Sequence, residues 1–333
     1  AWGAPLDPEP GLRIPNMFDA AIGGTFKGLF VQGEDIAQSD PNTQHVSAAL
    51  GALECLIVQD LFLNETAAFA HVFFPGTSFL EKDGTFTNAE RRINRVRPVM
   101  PEKTGKAEWR IVSELATALG YPMHYDTASQ IMDEIARLTP TFAGVSFKRL
   151  DEAGSLQWPV TDAAPQGTPI MHADGFVRGR GRFMITEYIA TEERPSRDYP
   201  LILTTGRILS HYNVGAQTRR TANVAWHPED ILEINAHDAE ERGIRDGDLV
   251  SVGSRVGATT LRAEISDRMP PGVVYTTFHH PVTGANVVTT DASDWATNCP
   301  EYKVTAVQIR LSNQPTDWAQ RHAPIVTVGV AAE

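Results

Sequence analysis

Short apolar runs and amphipathic stretches alternate along the first part of the chain. The runs at 28–33, 55–60 and 71–74 predict strands, because each is short and ends in polar or turn-forming residues. The segments 41–53 and 65–70 between them carry apolar residues at helical spacing. Strands and helices that alternate at this spacing predict a parallel sheet with right-handed crossovers.

The middle of the chain has a weaker pattern. Residues 77–105 are rich in Gly, Asn, Arg and Pro, which predicts a long loop of the kind that often carries function. Two amphipathic segments, 106–119 and 128–138, predict helices. The Gly- and Pro-containing stretch 141–195 predicts a loosely structured connection with a hairpin near 175–185.

From Tyr199 onward the pattern becomes that of a β domain. Many short strands with a single helix at 235–242 predict a closed or half-closed barrel. The strand candidates are 201–205, 231–234, 249–254, 259–265, 273–278 and 303–311. The expected division is therefore an α/β domain over 1–140, a connecting segment with a hairpin over 141–198, a β-barrel domain over 199–313 and a C-terminal tail over 314–333.

Charge and composition exclude several function classes. The chain has 333 residues, with 29 Lys and Arg against 41 Asp and Glu, so its net charge is −12. That balance argues against a nucleic-acid partner, which needs a basic face. No apolar run approaches the roughly 20 residues of a membrane span, and the first residues lack a secretory signal pattern. The two cysteines, Cys55 (placed in a buried strand) and Cys299, form no CxxC, so no metal site or disulfide framework is predicted and a cytoplasmic setting is expected.

Acidic side chains follow the first two predicted strands. Gly33, Glu34 and Asp35 end the first strand, and Asp60 closes the second. Open α/β sheets bind ligands at the carboxyl ends of their strands, where these carboxylates could accept hydrogen bonds from a ribose or the edge of a guanine. The alternative is a strand-ending turn with solvated acids, and for Asp60 an N-cap of the helix that starts near Asn64.

The long loop contains the most basic stretch of this acidic chain. Arg91, Arg92, Arg95 and Arg97 could pair with a phosphate or a carboxylate. The alternative is an exposed loop held by its own salt bridges.

A second polar group follows the first barrel strand. Residues 204–207 run from two threonines through a glycine to Arg207, and the backbone of such a turn can cradle an anion together with the guanidinium. His211, near Tyr212 and Asn213, could donate to a phosphate or tune a cofactor ring. The alternative for His211 is a structural histidine with satisfied nitrogens.

Further polar residues lie near the ends of the later barrel strands. His279 and His280 are adjacent, so on a strand they point to opposite faces and do not form a two-histidine metal site. Asn286, Tyr302 and Lys303 are each uninformative alone.

Taken in order, these stretches resemble the C-terminal half of the catalytic (alpha) subunit of molybdenum or tungsten formate dehydrogenases, members of the molybdopterin-guanine-dinucleotide oxidoreductases. The similarity covers nearly all of 27–311, and its strength lies in the ordered series of motifs. The matching stretches are QGEDIAQSD (32–40), LIVQDLF (56–62), FPGTSFLEKDGTFTNAERRINR (74–95), ALGYPMHY (118–125), TTGRILSHYNVGAQTRR (204–220), ILEINAHDAEERGIRDGDLVSVGSR (231–255), SDR (266–268) and CPEYK (299–303).

The resemblance implies an α/β class fold, in which a parallel-sheet dinucleotide-binding domain is followed by a six-stranded (double-psi-like) β-barrel domain. It also implies three groups of cofactor-binding residues, which contact one guanosine end, the pyrophosphate with the adjoining pterin, and the pterin from the barrel side. In that order the groups are Gly33, Glu34, Asp35 and Asp60; Arg207, His211, Tyr212 and Asn213; and Phe278, Asn286, Tyr302 and Lys303.

The family's metal-ligating cysteine or selenocysteine, its neighbouring histidine, the substrate arginine and the cluster cysteines all lie upstream of the region that this chain resembles. No catalytic or metal-ligating residue is therefore expected here, and the chain alone is expected to be inactive. The resemblance implies that its partners are the upstream half of the same subunit and iron–sulfur/flavin electron-transfer subunits.

For the complete enzyme, the resemblance implies oxidation of formate to carbon dioxide at a bis-molybdopterin guanine dinucleotide centre with Mo or W. Electrons would pass through iron–sulfur clusters, which belong to the upstream part, to NAD in the cytoplasm. Two alternatives remain open at this point. One is another molybdopterin oxidoreductase that reduces nitrate or a different oxyanion, and the other is a non-catalytic cofactor-binding module.

Overall fold

The computed structural model describes residue 3 and residues 5–321, so residues 322–333 of the predicted C-terminal tail lie outside the described part. The helices are α1 (Ile14–Ile22), α2 (Ile36–Ser39), α3 (Thr43–Ala52), α4 (Glu108–Ala118), α5 (Ala128–Leu138), α6 (Phe147–Ala153), α7 (Ala236–Glu241) and α8 (Asp317–Arg321). The strands are β1 (Gly28–Gln32), β2 (Cys55–Asp60), β3 (Val72–Pro75), β4 (Gly84–Thr87), β5 (Arg92–Val96), β6 (Ser155–Gln157), β7 (Leu201–Gly206), β8 (Ile231–Ile234), β9 (Leu249–Gly253), β10 (Ala258–Ile265), β11 (Val273–Thr277) and β12 (Thr305–Leu311).

The first sheet is parallel and has the strand order β1–β2–β3, as the alternating pattern predicts. Asn42 caps the N-terminus of helix α3, where its side chain accepts a hydrogen bond from the His45 N–H and so satisfies one free donor of the first turn. Its apolar side includes Val46 and Leu50, which belong to the same buried cluster as Leu56 of β2. This cluster forms the core of the α/β part.

The β domain is a closed barrel with the strand order β10–β8–β11–β7–β12–β9, so the predicted six-stranded barrel is confirmed. Two of its ladders are parallel, β8 with β10 and β7 with β11, and the others are antiparallel. Buried and partly exposed residues alternate along β7, because successive side chains of a strand point to opposite faces. Its inward residues Leu201 and Leu203 pack in one apolar core with Leu232, Val250 and Ile309.

The described residues divide into two compact units. Unit one contains residues 5–9, 59–61 and 74–188, and unit two contains residues 10–58, 62–73 and 189–321. Unit two thus holds β1, the helices α1–α3 and the first four residues of β2 together with the whole barrel. The units reflect spatial contacts rather than homologous segments, so the boundaries of the predicted domains stay predictions.

In unit one, the structure corrects two predictions. Residues 77–105 contain the strands β4 and β5, which pair antiparallel with Thr85 opposite Arg95, and β6 adds a third strand. The hairpin was not evident because only Ile93 of β5 is buried in the core. Within 141–195, Ser146 caps the N-terminus of helix α6, where its hydroxyl accepts from the Arg149 N–H. The predicted hairpin near 175–185 is reduced to one bridge, between Phe176 and Gly179.

Within unit one, carboxylates hold Arg95 and Arg97 of the basic stretch, whereas Arg91 donates to backbone carbonyls, among them that of Thr168 at 3.0 Å. Arg95 Nη2 lies 2.6 Å from Asp83 Oδ1, and its Nη1 lies 3.1 Å from Asp151 Oδ1. Its guanidinium also stacks 3.7 Å from the centre of the Phe147 ring. Arg97 pairs with Asp151 as well. These contacts match the salt-bridge interpretation of the loop. No helix among the described residues combines the length and the apolar composition that crossing a bilayer requires.

The barrel core predicts the effect of truncating an inward leucine. Leu203→Ala is expected to lower the free energy of unfolding by about 2–5 kcal/mol, because it leaves a cavity at a fully buried site. Leu311→Ala serves as the matched control, since Leu311 is 50% exposed at the end of β12 and should cost well under half as much. Urea denaturation measures both, and equal losses would contradict the assigned facing of the two strands.

Candidate functional site

A cavity of about 480 Å³ opens in unit two, between the loop that follows β1 and the strand ends of the barrel. Its volume lies within the range of about 300–1,000 Å³ that is typical of small-molecule sites. The predicted cofactor-binding residues that line it are Glu34, Arg207, Asn213, Phe278, Asn286, Tyr302 and Lys303. The structure therefore brings residues of the α/β part and of the barrel together around one cavity.

Two buried amide side chains join the α/β part to the barrel beside the cavity. Gln38 of α2 donates to the carbonyls of Val214 and Phe278, at 3.1 Å each. Asn286 Nδ2 donates in the opposite direction, to the carbonyls of Gln38 at 2.8 Å and Ser39 at 3.0 Å. Because these reciprocal bonds lie in a buried environment, they hold both walls of the cavity in one register.

One wall of the cavity carries two cations. Arg207 follows β7, donates from Nη2 to Asn213 Oδ1 at 2.9 Å, and lies 4.9 Å from the centre of the Phe278 ring. Lys303 Nζ donates to the carbonyl of Thr205. Burial lowers the pKa of Lys303, and the charge of Arg207 lowers it further. Two like charges are therefore held near each other, a placement that an anion would stabilise.

The cavity also contains carboxylates. Asp40 is 8% exposed, and burial raises its pKa to about 6; the Glu34 charge acts in the same direction, against the Ser39 hydroxyl at 3.0 Å. Burial and the Asp40 charge raise the pKa of the Tyr302 hydroxyl. Sequence reasoning missed Asp40, although it ends the QGEDIAQSD motif, because an acid after a short helix has no distinctive local signal.

The structure places Gly33 and Asp35 on either side of Glu34 in different roles. Gly33 has a φ of +66°, a turn that glycine adopts without strain and that leads the chain from β1 to Glu34. Asp35 is buried, and its Oδ1 accepts from the Thr66 N–H at 2.9 Å and from the Thr66 hydroxyl at 2.7 Å. Burial raises its pKa. Asp35 thus holds the turn Thr66–Phe69, and it does not line the cavity.

His211 is also engaged inside the protein. Its Nε2 donates to the His227 carbonyl at 3.0 Å, and its Nδ1 lies 2.9 Å from the Thr218 hydroxyl. It is only 5% exposed, which matches the structural alternative considered for it. The next residue, Tyr212, has an exposed side chain outside the cavity lining.

Asp60 belongs to unit one, where its Oδ1 accepts from the Leu61 N–H at 2.6 Å. Both cysteines are exposed, Cys299 and also Cys55, which the pattern placed in a buried strand. Cys55 is exposed because it is the first residue of β2, where burial has not yet begun.

Comparison with known proteins identifies the two parts that enclose the cavity. Residues 6–118 match the molybdopterin oxidoreductase family, and residues 201–306 match the molydopterin dinucleotide binding domain. The chain belongs to the molybdopterin oxidoreductase family. The resemblance seen in the motifs is thereby confirmed.

Several relatives of this molybdopterin oxidoreductase chain are formate dehydrogenases by name. The F420-dependent formate dehydrogenase subunit alpha of Methanocaldococcus jannaschii is 43% identical over 92% of this chain and 46% of its own length. Formate dehydrogenase H of Escherichia coli is 36% identical over 93% of this chain and 44% of its own length. The chain thus spans about half the length of the curated relatives it matches. Among solved structures, acetylene hydratase from Pelobacter acetylenicus has the same fold, with a TM-score of 0.72 and 17% identity over 89% of this chain and 46% of that one.

The raised pKa of Asp40 predicts a pH-dependent stability effect. Between about pH 4 and pH 6 the folded chain retains a proton that the unfolded chain has lost, so stability falls as the pH rises and stays reduced above pH 6. Asp40→Asn removes this loss, which is up to about 3 kcal/mol for a shift of roughly two units. The variant should therefore exceed wild type in urea midpoint at pH 7.5, with a smaller difference at pH 4.5. Asp267→Asn, the same charge change at an exposed position, should show no such pH dependence, and an equal gain at both pH values in Asp40→Asn would contradict the assignment.

Gly206 lies at the base of the cavity wall that carries Arg207 and Lys303, here called the cation wall. The close neighbours of Gly206 predict a second effect, which is steric. A Cβ at this position would lie 2.4 Å from the Tyr275 hydroxyl oxygen and 2.6 Å from its ring, so Gly206→Ala must displace one of them. The Tyr275 hydroxyl donates to the Arg207 carbonyl at 3.4 Å, so the displacement reaches the loop that carries Arg207. We expect a loss of about 1–3 kcal/mol in the free energy of unfolding. In a double-mutant cycle, Tyr275→Ala should recover part of that loss, and strictly additive effects would contradict the clash.

Proposed function

We propose that this chain is the cofactor-holding C-terminal portion of a formate dehydrogenase alpha subunit. The observation that carries the proposal is the pair of cations, Arg207 and Lys303, on one wall of the cavity. The names of the relatives support the choice of formate dehydrogenase over the other members of the family.

The cation wall fits a pyrophosphate. Arg207 and Lys303 are like charges that repel each other on one cavity wall, and a bound anion would relieve that repulsion. Arg207 is oriented by Asn213 and Phe278, and its planar donors can bind phosphate oxygens in pairs. Lys303 adds a point charge beside it. We assign the pyrophosphate of a molybdopterin guanine dinucleotide to these side chains.

The remaining cavity side chains fit the rings of the same molecule. The carboxylates of Glu34 and Asp40 can accept from the N–H edge of a guanine or a pterin. Phe278 and Tyr302 supply aromatic surface, and Asn286 fixes the backbone on which Ser39 and Asp40 stand. Gly33, which follows β1, is proposed to hold one guanosine end, and Tyr212 is proposed to contact the pterin. The guanosine role of Asp60, the last residue of β2, stays a prediction from the sequence. Asp35 and His211 would act by holding the surrounding backbone.

The complete enzyme would need the upstream half of the subunit, which would provide the metal-ligating residue and the iron–sulfur clusters. When bound, the molybdenum or tungsten of the bis-molybdopterin guanine dinucleotide would supply the two-electron chemistry that oxidises formate to carbon dioxide. The residues of this chain would bind and orient the cofactor, and the chain alone would be inactive. We propose iron–sulfur/flavin subunits as electron-transfer partners and the cytoplasm as the location.

The electron acceptor has two candidates. NAD follows from the family resemblance. F420 is favoured by the name of the 43%-identical relative from Methanocaldococcus jannaschii. Formate-dependent reduction of each acceptor by the complete enzyme separates the two.

The role of the cation wall predicts a loss of cofactor in the complete subunit. Arg207→Gln and Lys303→Gln should each weaken retention by about tenfold or more, because each removes a charged hydrogen-bond donor from the pyrophosphate. The measurements are guanosine monophosphate released on acid hydrolysis, and molybdenum or tungsten determined by mass spectrometry, per mole of protein. Formate-dependent dye reduction should fall in proportion.

Arg262→Gln is the matched control, because Arg262 is an exposed barrel arginine of unit two that pairs with Glu229 at 3.1 Å. It should retain a full complement of cofactor. Undiminished cofactor in both cavity variants would refute the role of the cation wall. A complete wild-type subunit that holds neither metal nor guanine nucleotide would refute the proposed function itself.

A further inference from the structure

A fully buried histidine connects two points of the loop that carries Arg207. His279 is 0% exposed. Its Nδ1 donates to the carbonyl of Asn213 at 2.5 Å, and its Nε2 accepts from the backbone N–H of Ile208 at 3.2 Å. Ile208 directly follows Arg207, and the side chains of Arg207 and Asn213 both line the cavity. The imidazole therefore holds the backbone beside Arg207 and at Asn213.

These partners select one form of the ring. A backbone carbonyl only accepts, so Nδ1 must carry a proton, and a backbone N–H only donates, so Nε2 must be without one. The neutral Nδ1–H tautomer satisfies both bonds at once, whereas an imidazolium would present a second N–H toward the Ile208 N–H. The grip on the loop therefore depends on the neutral ring.

The backbone of His279 is itself fixed by a buried carboxylate. Asp230 is 1% exposed and accepts from the backbone N–H groups of His279 at 3.0 Å and His280 at 2.9 Å. It also accepts from the hydroxyls of Thr277 and Thr283, at 2.5 Å each. Four donors on one carboxylate leave the strand end little freedom, so the imidazole is presented to the loop from a rigid base.

The charged and titratable groups around the ring favour its neutral form. The His211 ring lies 5.3 Å from it, and the guanidinium of Arg219 donates to the His279 carbonyl. Burial lowers the pKa of His279, and His211 and His280 act in the same direction, against Asp230 and the Asn213 carbonyl. Protonation thus requires a pH below the ordinary value of about 6.5 for histidine.

We propose that His279 is a positioning residue of the cation wall, which through its neutral ring holds the segment 207–213 so that Arg207 and Asn213 meet a pyrophosphate-containing ligand. This inference rests on the proposed function of the cavity. It assigns His279 a role in anion affinity although its side chain is fully buried and does not line the cavity.

The test measures the affinity of this chain for inorganic pyrophosphate by titration calorimetry, with wild type, His279→Ala and His279→Gln. We expect His279→Ala to weaken binding about tenfold. His279→Gln should recover part of that loss, because its amide oxygen can replace Nε2 as the acceptor for the Ile208 N–H.

His280→Ala is the matched control. His280 is the next residue and is also buried, but its Nε2 bonds to the His227 carbonyl, outside the segment 207–213. The control should lower thermal stability and leave the affinity for pyrophosphate unchanged. An equal loss of affinity in His280→Ala would show that His279 acts only through general stability and would overturn the proposal.

The pH dependence of the affinity for pyrophosphate also tests the positioning role, because a purely structural role of His279 would not produce it. The ratio of wild-type to His279→Gln affinity cancels the titration of pyrophosphate and of Asp40. It should shrink once the pH falls far enough below about 6.5 to protonate the His279 ring, a point that an NMR titration of the ring locates. A ratio that stays constant through that protonation would overturn the proposal, as would unchanged affinity in both His279 variants. If the wild-type chain fails to bind pyrophosphate although the complete subunit holds a guanine nucleotide, the role of His279 in anion affinity is overturned. If the complete subunit holds none, the proposed function fails instead.

Discussion

A single buried carboxylate, that of Asp230, organises the end of the barrel on which the candidate site stands. Leaving an ionised group out of water is costly unless hydrogen bonds replace the lost hydration. Asp230 meets that requirement with two backbone donors and two threonine hydroxyls, all of which lie within 277–283. These four bonds replace the hydration that the carboxylate has lost. The same bonds hold the chain after β11 in one conformation.

That conformation determines what reaches the cavity. Phe278 is held in the same stretch, and its ring supports the guanidinium of Arg207. The carbonyl of Phe278 accepts from Gln38, so the same stretch also meets the α/β part of unit two. The carboxylate of Asp230 is thus linked, through the backbone of 277–283 and the ring of Phe278, to the orientation of the Arg207 guanidinium. This coupling between Asp230 and Arg207 requires no conformational change, because each group has one arrangement that satisfies its hydrogen-bond partners.

Much of this architecture could be predicted from the sequence, and the remainder shows where local patterns lose information. The barrel strands were predictable because alternation along residues such as Leu201 and Leu203 reflects a physical period of two. The roles of Asp35 and His211 could not be separated from ligand binding, since a polar residue after a strand looks alike whether it faces a ligand or a distant backbone group. Asp40 and Asp230 gave no signal, because their burial depends on segments far away in the chain.

The arrangement of charges in the cavity favours one orientation of a pyrophosphate-containing ligand. Arg207 and Lys303 lie on the wall formed by β7 and the residues before β12, while Glu34 and Asp40 come from the loop and short helix after β1. An elongated ligand with phosphates at one position and ring N–H groups at another can match both walls in only one orientation, because reversal places phosphate against carboxylate. The burial of Asp40 strengthens the preference for one orientation of the ligand. Its carboxyl group, with a pKa of about 6, can accept a hydrogen bond from a ring N–H at low desolvation cost, and when it is ionised it repels a phosphate. Under the proposed function, the orientation of the dinucleotide would therefore depend on the two walls together, and neither wall would supply it alone.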